Sequence, residues 1–145
     1  MIMNTELIYK FSSHTVGDSN IKAEPSTVLE SLPNKITWEY DGTKHSLDNK
    51  NKLIPLLLKD KSHIAVIEAP YNNVFNNAFI IDGTGKIVWN IKMLLNEQIK
   101  NSLITFYDVY YIKDILYFFV VISNNDYRFQ FNPISGEMGK LIESR

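Results

Sequence analysis

The chain has 145 residues, of which 45% are hydrophobic and none is cysteine, and its formal net charge is −1. This composition is too apolar for a disordered chain, so we expect one folded domain over residues 1–145. The near-neutral charge argues against direct nucleic-acid binding, because it provides no field that attracts a polyanion. The absence of cysteine excludes disulfides and thiolate metal sites, and it fits a reducing cytoplasm.

The sequence shows no targeting or membrane-spanning segment. Glu6 and Lys10 interrupt the apolar character of the N-terminus, which argues against a signal peptide. The longest apolar run, residues 115–122, is far shorter than the roughly 20 residues that a transmembrane helix needs. We therefore expect a cytoplasmic protein that makes no membrane contact.

The N-terminal third predicts a strand, a short helix and a hairpin. Residues 6–11 (ELIYKF) alternate polar and apolar side chains, as a half-buried strand does. Residues 25–32 begin with a proline, which suits the first helical position, and Pro33 would end a helix there. Residues 36–47 read ITWEY and KHSL around an Asp-Gly pair, which is favoured where both turn residues need positive φ.

The middle of the chain contains one ambiguous segment. Residues 50–62 carry a run of apolar side chains that could line a buried helix or a buried strand, although Pro55 forbids a continuous helix. Residues 63–68 (HIAVIE) predict a strand, and residues 77–91 predict a hairpin around Asp-Gly-Thr-Gly. Apolar side chains at helical spacing predict a short helix over residues 92–101.

The C-terminal segment, residues 105–144, predicts four consecutive strands, FYDVYYIK, ILYFFVVIS, DYRFQF and MGKLIES. Their short connections permit only antiparallel neighbours, because a parallel return needs about a dozen residues or more. Residues 115–122 are apolar without alternation, which predicts a central strand covered on both faces by a second layer or a partner.

Alternation assigns the faces of this predicted meander. In its first strand, one face would carry Tyr107, Val109 and Tyr111, and the other Phe106, Asp108, Tyr110 and Ile112. In its third strand, one face would carry Tyr127, Phe129 and Phe131, and the other Asp126, Arg128 and Gln130. The sheet would thus have one buried face and one mixed face rich in tyrosine and arginine, residue types that are enriched at protein interfaces. Alternatively, the N-terminal segment with the helix over residues 25–32 covers the mixed face.

Three hairpin turns, at Asp41, Asp82 and Asn132, recur at intervals of about 40–50 residues, the period of propeller blades. A closed propeller needs about four blades, more than this chain can form, and turn chemistry alone also explains the repeat. We therefore predict a mainly β fold of antiparallel meander sheets with blade-like hairpins, curved or two-layered, with about one to three short helices.

No motif indicates catalysis or metal binding. The three histidines lack metal-ligand spacing, no Gly-x-Ser-x-Gly motif occurs, and Gly83-Thr84-Gly85 suits a turn better than a phosphate cradle. We expect no enzyme activity, no cofactor and no metal.

The candidate binding residues are carboxylates, aromatic side chains and one arginine. Residues 71–76 place an apolar and aromatic pair among asparagines, a composition suited to contact, although Phe75 could instead anchor the loop in the core. If the partner is basic, carboxylates on one face would steer it to the site. The candidate partner-binding residues are Glu39, Asp41, Glu68, Tyr71, Phe75, Asp108, Tyr110, Asp114 and Arg128.

A small, mostly β domain rich in Asn, Lys and Ile, without cysteine or a catalytic motif, resembles the immunity proteins of bacterial toxin–immunity pairs, those of contact-dependent growth inhibition in particular. The resemblance implies a cytoplasmic monomer that binds one cognate toxin domain, such as a nuclease, and blocks its active site. The alternatives are a barrel-like sheet that binds a small ligand in an apolar pocket, and a structural subunit whose blade-like hairpins are completed by other chains.

Overall fold

The computed structural model describes residues 6–15 and 31–144. These residues form three antiparallel sheets in which neighbouring strands are consecutive in sequence. The strands and the helix are β1 (Ile8–His14), β2 (Lys35–Tyr40), β3 (Thr43–Asp48), β4 (Leu53–Leu57), β5 (His63–Glu68), β6 (Asn77–Asp82), β7 (Ile87–Asn90), α1 (Ile91–Gln98), β8 (Ile104–Ile112), β9 (Ile115–Ile122), β10 (Asn125–Gln130) and β11 (Ile142–Glu143). We name the sheets N-terminal (β1–β3), middle (β4–β7) and C-terminal (β8–β11).

The prediction of a mainly β fold built from antiparallel meanders is confirmed. The sheets form three layers rather than the expected one or two, because the middle sheet is apolar on both faces. In β5, Ile64 and Val66 pack toward the N-terminal sheet, whereas Ala65 and Ile67 pack toward the C-terminal sheet. Successive side chains of a strand point to opposite faces, so one strand serves both cores.

The core between the middle and C-terminal sheets is built around three fully buried phenylalanines. The rings of Phe106, Phe118 and Phe129 lie 5.9–6.1 Å apart between centroids, in edge-to-face and stacked pairs. Such pairs contribute about 0.5–1.5 kcal/mol each beyond the area they bury. The inner face of the C-terminal sheet is therefore firmly fixed, as the alternation in β10 predicted.

Each tryptophan ties its sheet to a hairpin turn of the next sheet. Trp38 Nε1 in β2 donates to the carbonyl oxygen of Gly83 at 2.7 Å. Trp89 Nε1 in β7 donates to the carbonyl oxygen of Pro133, also at 2.7 Å. Each acceptor is the second residue of its turn, after Asp82 in one case and Asn132 in the other. The hairpin turns that recur in the sequence at these two positions therefore form equivalent links between neighbouring sheets.

Within residues 50–62, which could be helix or strand from the sequence, Leu53–Leu57 form the edge strand β4 of the middle sheet. Pro55 lies within this strand, opposite Val66 of β5. Proline is tolerated at a sheet edge because its missing N–H can face away from the neighbouring strand. This position resolves the ambiguity between helix and strand.

Several element boundaries differ from their predictions. β1 begins two residues later than the alternation suggested and continues to His14, which pairs with Lys35 of β2. The helix predicted over residues 92–101 is α1, which begins at Ile91 and ends at Gln98. The fourth strand of the meander shortens to β11, preceded by an isolated bridge at Met138. The helix predicted over residues 25–32 falls mostly outside the described residues, which resume at residue 31.

The alternation predicted for β8 is wrong beyond Phe106. The pairing of β8 with β9 shifts between Phe106 and Asp108, which makes Tyr107 a bulge. One extra residue inverts the alternation that follows it, so Val109 joins Phe106 in the core. Tyr107 and Tyr110 consequently lie on the opposite face, together with Asp108.

The turn between β6 and β7 generates a pH-dependent prediction. Asp82 Oδ1 accepts hydrogen bonds from the Thr84 N–H at 2.9 Å, the Thr84 hydroxyl at 2.6 Å and the Lys86 N–H at 3.1 Å. Burial alone would raise the pKa of Asp82, but these hydrogen bonds outweigh it and hold the pKa below its ordinary value. This stabilisation is present above the pKa of the unfolded chain and is lost as the pH falls through the lower pKa of the folded chain.

We expect Asp82→Ala to lower the free energy of unfolding at pH 7 by about 1 kcal/mol, with allowance for partial exposure of the carboxylate. Urea denaturation at pH 7 and at pH 3 measures the effect, and the difference from the parent protein should shrink at pH 3. Thr84→Val, which removes one donor, should show a smaller loss with the same pH dependence. An equal loss at both pH values would contradict this explanation.

Candidate partner interface

The face of the C-terminal sheet that points away from the middle sheet, here called the outer face, carries a concentration of aromatic and charged side chains. Its main members are Tyr107, Asp108, Tyr110, Tyr117, Phe119, Asp126 and Arg128. Within the described residues, this face is covered by no second layer: β1 belongs to the N-terminal sheet, and only the loop after β5 adjoins the outer face. The alternative in which the N-terminal segment with the helix over residues 25–32 covers this face falls mostly on residues outside the described ones.

Four aromatic rings form a continuous row across β9, β8 and the loop after β5. Tyr110 stacks on Phe119 with 4.4 Å between ring centroids, and Tyr107 lies 6.2 Å from Phe119. Tyr71 extends the row by stacking on Tyr107 at 5.9 Å. Phe119 is only 4% exposed, whereas Tyr110 and Tyr71 are 43% and 56% exposed. The row therefore has a buried centre and two accessible ends.

Asn76 fixes the loop against β8. Its side-chain oxygen accepts from the N–H of Phe106 at 2.7 Å, and its Nδ2 donates to the carbonyl oxygen of Phe106 at 2.8 Å. β8 is the edge strand of its sheet, so this amide supplies the pairing that a further strand would give. Lys92 Nζ of α1 donates to the backbone carbonyl of Asn76 at 2.6 Å, and burial lowers the pKa of this lysine.

The loop, residues 71–76, is also ordered from within. Asn72 Oδ1 accepts from the N–H groups of Val74 at 2.8 Å and Phe75 at 2.9 Å. Tyr71 has a φ of 68°, a left-handed conformation that is uncommon for an aromatic residue. Phe75 is 57% exposed, so the alternative in which it anchors the loop in the core is wrong; the buried Asn76 is the anchor.

One end of the aromatic row is electronegative. Burial raises the pKa of Asp108, although the N–H of Val109 donates to its carboxylate at 2.9 Å. Burial also raises the pKa of Tyr71, and the charges of Asp108 and Asp126 raise it further. Among the described residues, no lysine, arginine or histidine forms an ion pair with either carboxylate. A cationic group of a partner would therefore be attracted to this end.

Arg128 occupies the middle of the outer face. Its guanidinium lies 5.7 Å from the ring centroid of Tyr117 on the neighbouring strand. Its Nε atom is buried and has no hydrogen-bond acceptor within the part of the chain that the structure describes. Arginine stacked on an aromatic ring retains in-plane donors for a further acceptor, which is one reason that it is common at interfaces.

The structure brings together only some of the predicted site residues. Tyr71, Asp108, Tyr110 and Arg128 lie on or beside the outer face, and Phe75 protrudes from the adjoining loop. Tyr107 and Asp126 also lie there but were not predicted as site residues. The role of Tyr107 was hidden because the bulge in β8 changes its face.

The remaining predicted carboxylates lie elsewhere, so the expected clustering of carboxylates on one face is not found. Glu39 of the N-terminal sheet pairs with Lys10 at 3.5 Å, and Asp41 lies in the β2–β3 turn with a φ of 52°. Glu68, at the end of β5, accepts a hydrogen bond from Asn77 at 3.3 Å. Asp114 lies in the β8–β9 turn and pairs with Lys59.

A second concave surface of about 580 Å³ lies on the N-terminal sheet. Its lining combines the ring of Trp38 with charged and polar residues, and the surface that they expose there is mainly apolar; the charged and titratable residues are Lys10, His14, Lys35, Glu39, Lys44 and His45. Across residues 6–15 and 31–144, no group of three or more His, Cys, Asp or Glu side chains is arranged to hold a metal ion.

The fold is shared with a chain in the solved structure of Tne2 in complex with Tni2. The match has a TM-score of 0.68 and covers 96% of this chain and 100% of that chain, at 14% sequence identity. A likeness at this identity shows a common fold. No protein-family model matches the sequence, and no curated protein matches it either. The described residues include no helix with the length and apolarity needed to cross a bilayer.

The strained charge of Asp108 gives a prediction about stability. Because its pKa is raised in the folded chain, ionisation of Asp108 opposes folding as the pH rises through the pKa of the unfolded chain. We expect Asp108→Asn to increase the free energy of unfolding at pH 7, by less than about 1 kcal/mol because the side chain is half-buried and screened. Urea denaturation should show this gain at pH 7 and little gain at pH 3.

Asp114→Asn is the matched control. The hydrogen bond and the charge of Lys59 lower the pKa of Asp114, so its neutralisation should give no gain at pH 7. A loss of stability in Asp108→Asn at pH 7 would show that the carboxylate is not strained.

Proposed function

We propose that this protein binds a cognate protein toxin through the outer face and residues 71–76, and neutralises the toxin by covering its active site. In this proposal the protein performs no chemistry of its own. The observation that carries it is the aromatic row, whose exposed ends are Tyr71 and Tyr110 and which is covered by no second layer among the described residues. An apolar surface bordered by polar groups is typical of a protein interaction site.

The composition of the outer face supports a protein partner. Tyrosine and arginine are over-represented among the residues that dominate binding energies, because each buries a large area and keeps a polar group for hydrogen bonding. Tyr71, Tyr110 and Arg128 combine these properties on one surface. An interface of ordinary size buries about 1,600 Å² in total, about half of it on each partner.

The shared fold gives independent support. Tne2 and Tni2 are a toxin–immunity pair, and the structure with which this chain shares its fold is that of their complex. We take the same relationship to one cognate toxin as the working function of this chain. Its site of action in the proposal is the cytoplasm, where it acts as a monomer against a delivered toxin, such as the toxins of contact-dependent growth inhibition.

The dispersed carboxylates bear on the kind of toxin. Only Asp108 of the predicted carboxylates lies on the outer face, where Asp126 accompanies it. A steering field for a highly basic nuclease would require a larger concentration of negative charge. The proposal therefore rests on aromatic contacts, and a nuclease remains one class of toxin among others.

The direct test is calorimetry with the toxin domain encoded beside the gene for this chain, together with an assay of that toxin's activity. We expect a dissociation constant in the nanomolar range or below and stoichiometric loss of toxin activity. Tyr71→Ala and Tyr110→Ala should each weaken binding by about 30-fold or more, the effect typical of a dominant interface residue.

Tyr9→Ala is the control, because Tyr9 is 58% exposed, as Tyr71 is 56% exposed, but lies on the N-terminal sheet. It should bind as the parent protein does, and all three variants should retain the parent melting temperature to within a few degrees. Absence of binding by the parent protein, or equal losses in all three variants, would contradict the proposal.

A further inference from the structure

We infer that residues 71–76 enter a concave, apolar-walled cleft of the partner, with Val74 and Phe75 as the side chains that fill it. The inference rests on the proposed function and extends it by assigning the element that reaches the partner's active site. The remainder of the outer face would then contact the rim around that cleft.

The tip of the loop presents two adjacent apolar side chains to solvent. Val74 is 77% exposed and Phe75 is 57% exposed. Single exposed apolar residues are common on protein surfaces, but two neighbours at the tip of one loop form a compact apolar projection. Burial of apolar side chains is favourable, and this gain is available on binding because neither side chain is buried in the free protein.

The loop holds this projection in place before binding. Asn72 accepts from the N–H groups of both tip residues, Asn76 bonds both backbone polar groups of Phe106, and Lys92 donates to the carbonyl of Asn76. Asn76 is 2% exposed, so its two bonds to Phe106 are shielded from water. A projection that is already ordered loses less conformational entropy when it binds, and this favours high affinity.

The shape of the projection selects the kind of surface that it fits. Because the tip is convex, its two apolar side chains can both be buried only in a concave surface. A flat surface would leave part of at least one side chain in contact with water. Enzyme active sites are concave and lined mainly by apolar and aromatic side chains. The shape and the apolar character of the loop tip therefore both favour the active-site cleft of the toxin as the surface that receives it.

The experiment compares Phe75→Ala and Val74→Ala with Met93→Ala, by calorimetry and by the kinetics of toxin inhibition. Met93 is a matched control because it is 57% exposed, as Phe75 is, but lies on α1. We expect Phe75→Ala to weaken binding by at least about 30-fold and Val74→Ala by about tenfold. Phe75→Leu, which keeps an apolar side chain, should recover most of the loss, and Met93→Ala should bind as the parent does. Inhibition by the parent protein should be competitive with the toxin's substrate.

The outcomes separate this inference from the proposed function. If the parent protein binds and inhibits the toxin and Tyr110→Ala weakens binding, but both loop variants bind normally, the inference is overturned and toxin binding through the outer face stands. Inhibition that is not competitive with substrate overturns the inference, because the loop would then lie outside the active-site cleft. It also contradicts the covering of the active site in the proposed function, and it leaves toxin binding standing. If the parent protein does not bind the toxin, both are overturned.

Discussion

The outer face depends on one contact between distant parts of the chain, the pairing of the Asn76 side-chain amide with both backbone polar groups of Phe106. This pairing closes the free edge of β8 beside the bulge at Tyr107, and it holds the loop after β5 against the sheet. The bulge directs Tyr107 and Asp108 outward, and the loop brings Tyr71 onto Tyr107. Without this pairing, the edge strand would expose unsatisfied groups, and the aromatic row would lose one end.

The outer face contains features that lower the stability of the free protein, as is common at binding surfaces. Asp108 is half-buried without a counter-ion among the described residues, and Tyr71 adopts a left-handed backbone conformation. Strain of this kind persists where the surrounding structure enforces it, and it is found often at binding and active sites. The firmly packed inner face, with its three buried phenylalanine rings, supplies the rigid support for these features.

Local patterns in the sequence predicted most of the architecture but only part of the candidate site. The hairpin around Asp41-Gly42, the strand over residues 63–68 and the antiparallel meander are encoded by turn residues and short-range alternation, so they could be read directly. The bulge in β8 could not, because short-range alternation does not reveal an extra residue, and the contact beside it joins Phe106 to Asn76, thirty positions away along the chain. Charge alone also failed to locate the surface: Glu39 and Asp114 form ion pairs with lysines away from the outer face, and only the folded chain shows this.

Protection of single thiols by the toxin tests most directly whether the outer face and its loop form the interface. The chain has no cysteine, so Phe75→Cys, Tyr110→Cys, Tyr9→Cys and Ile134→Cys would each carry one exposed thiol. Alkylation rates are measured with and without the toxin domain that the proposal names as the partner. The account predicts strong protection of the thiols at positions 75 and 110 and unchanged rates at positions 9 and 134. Protection at position 9 or 134, with free reaction at positions 75 and 110, would contradict it.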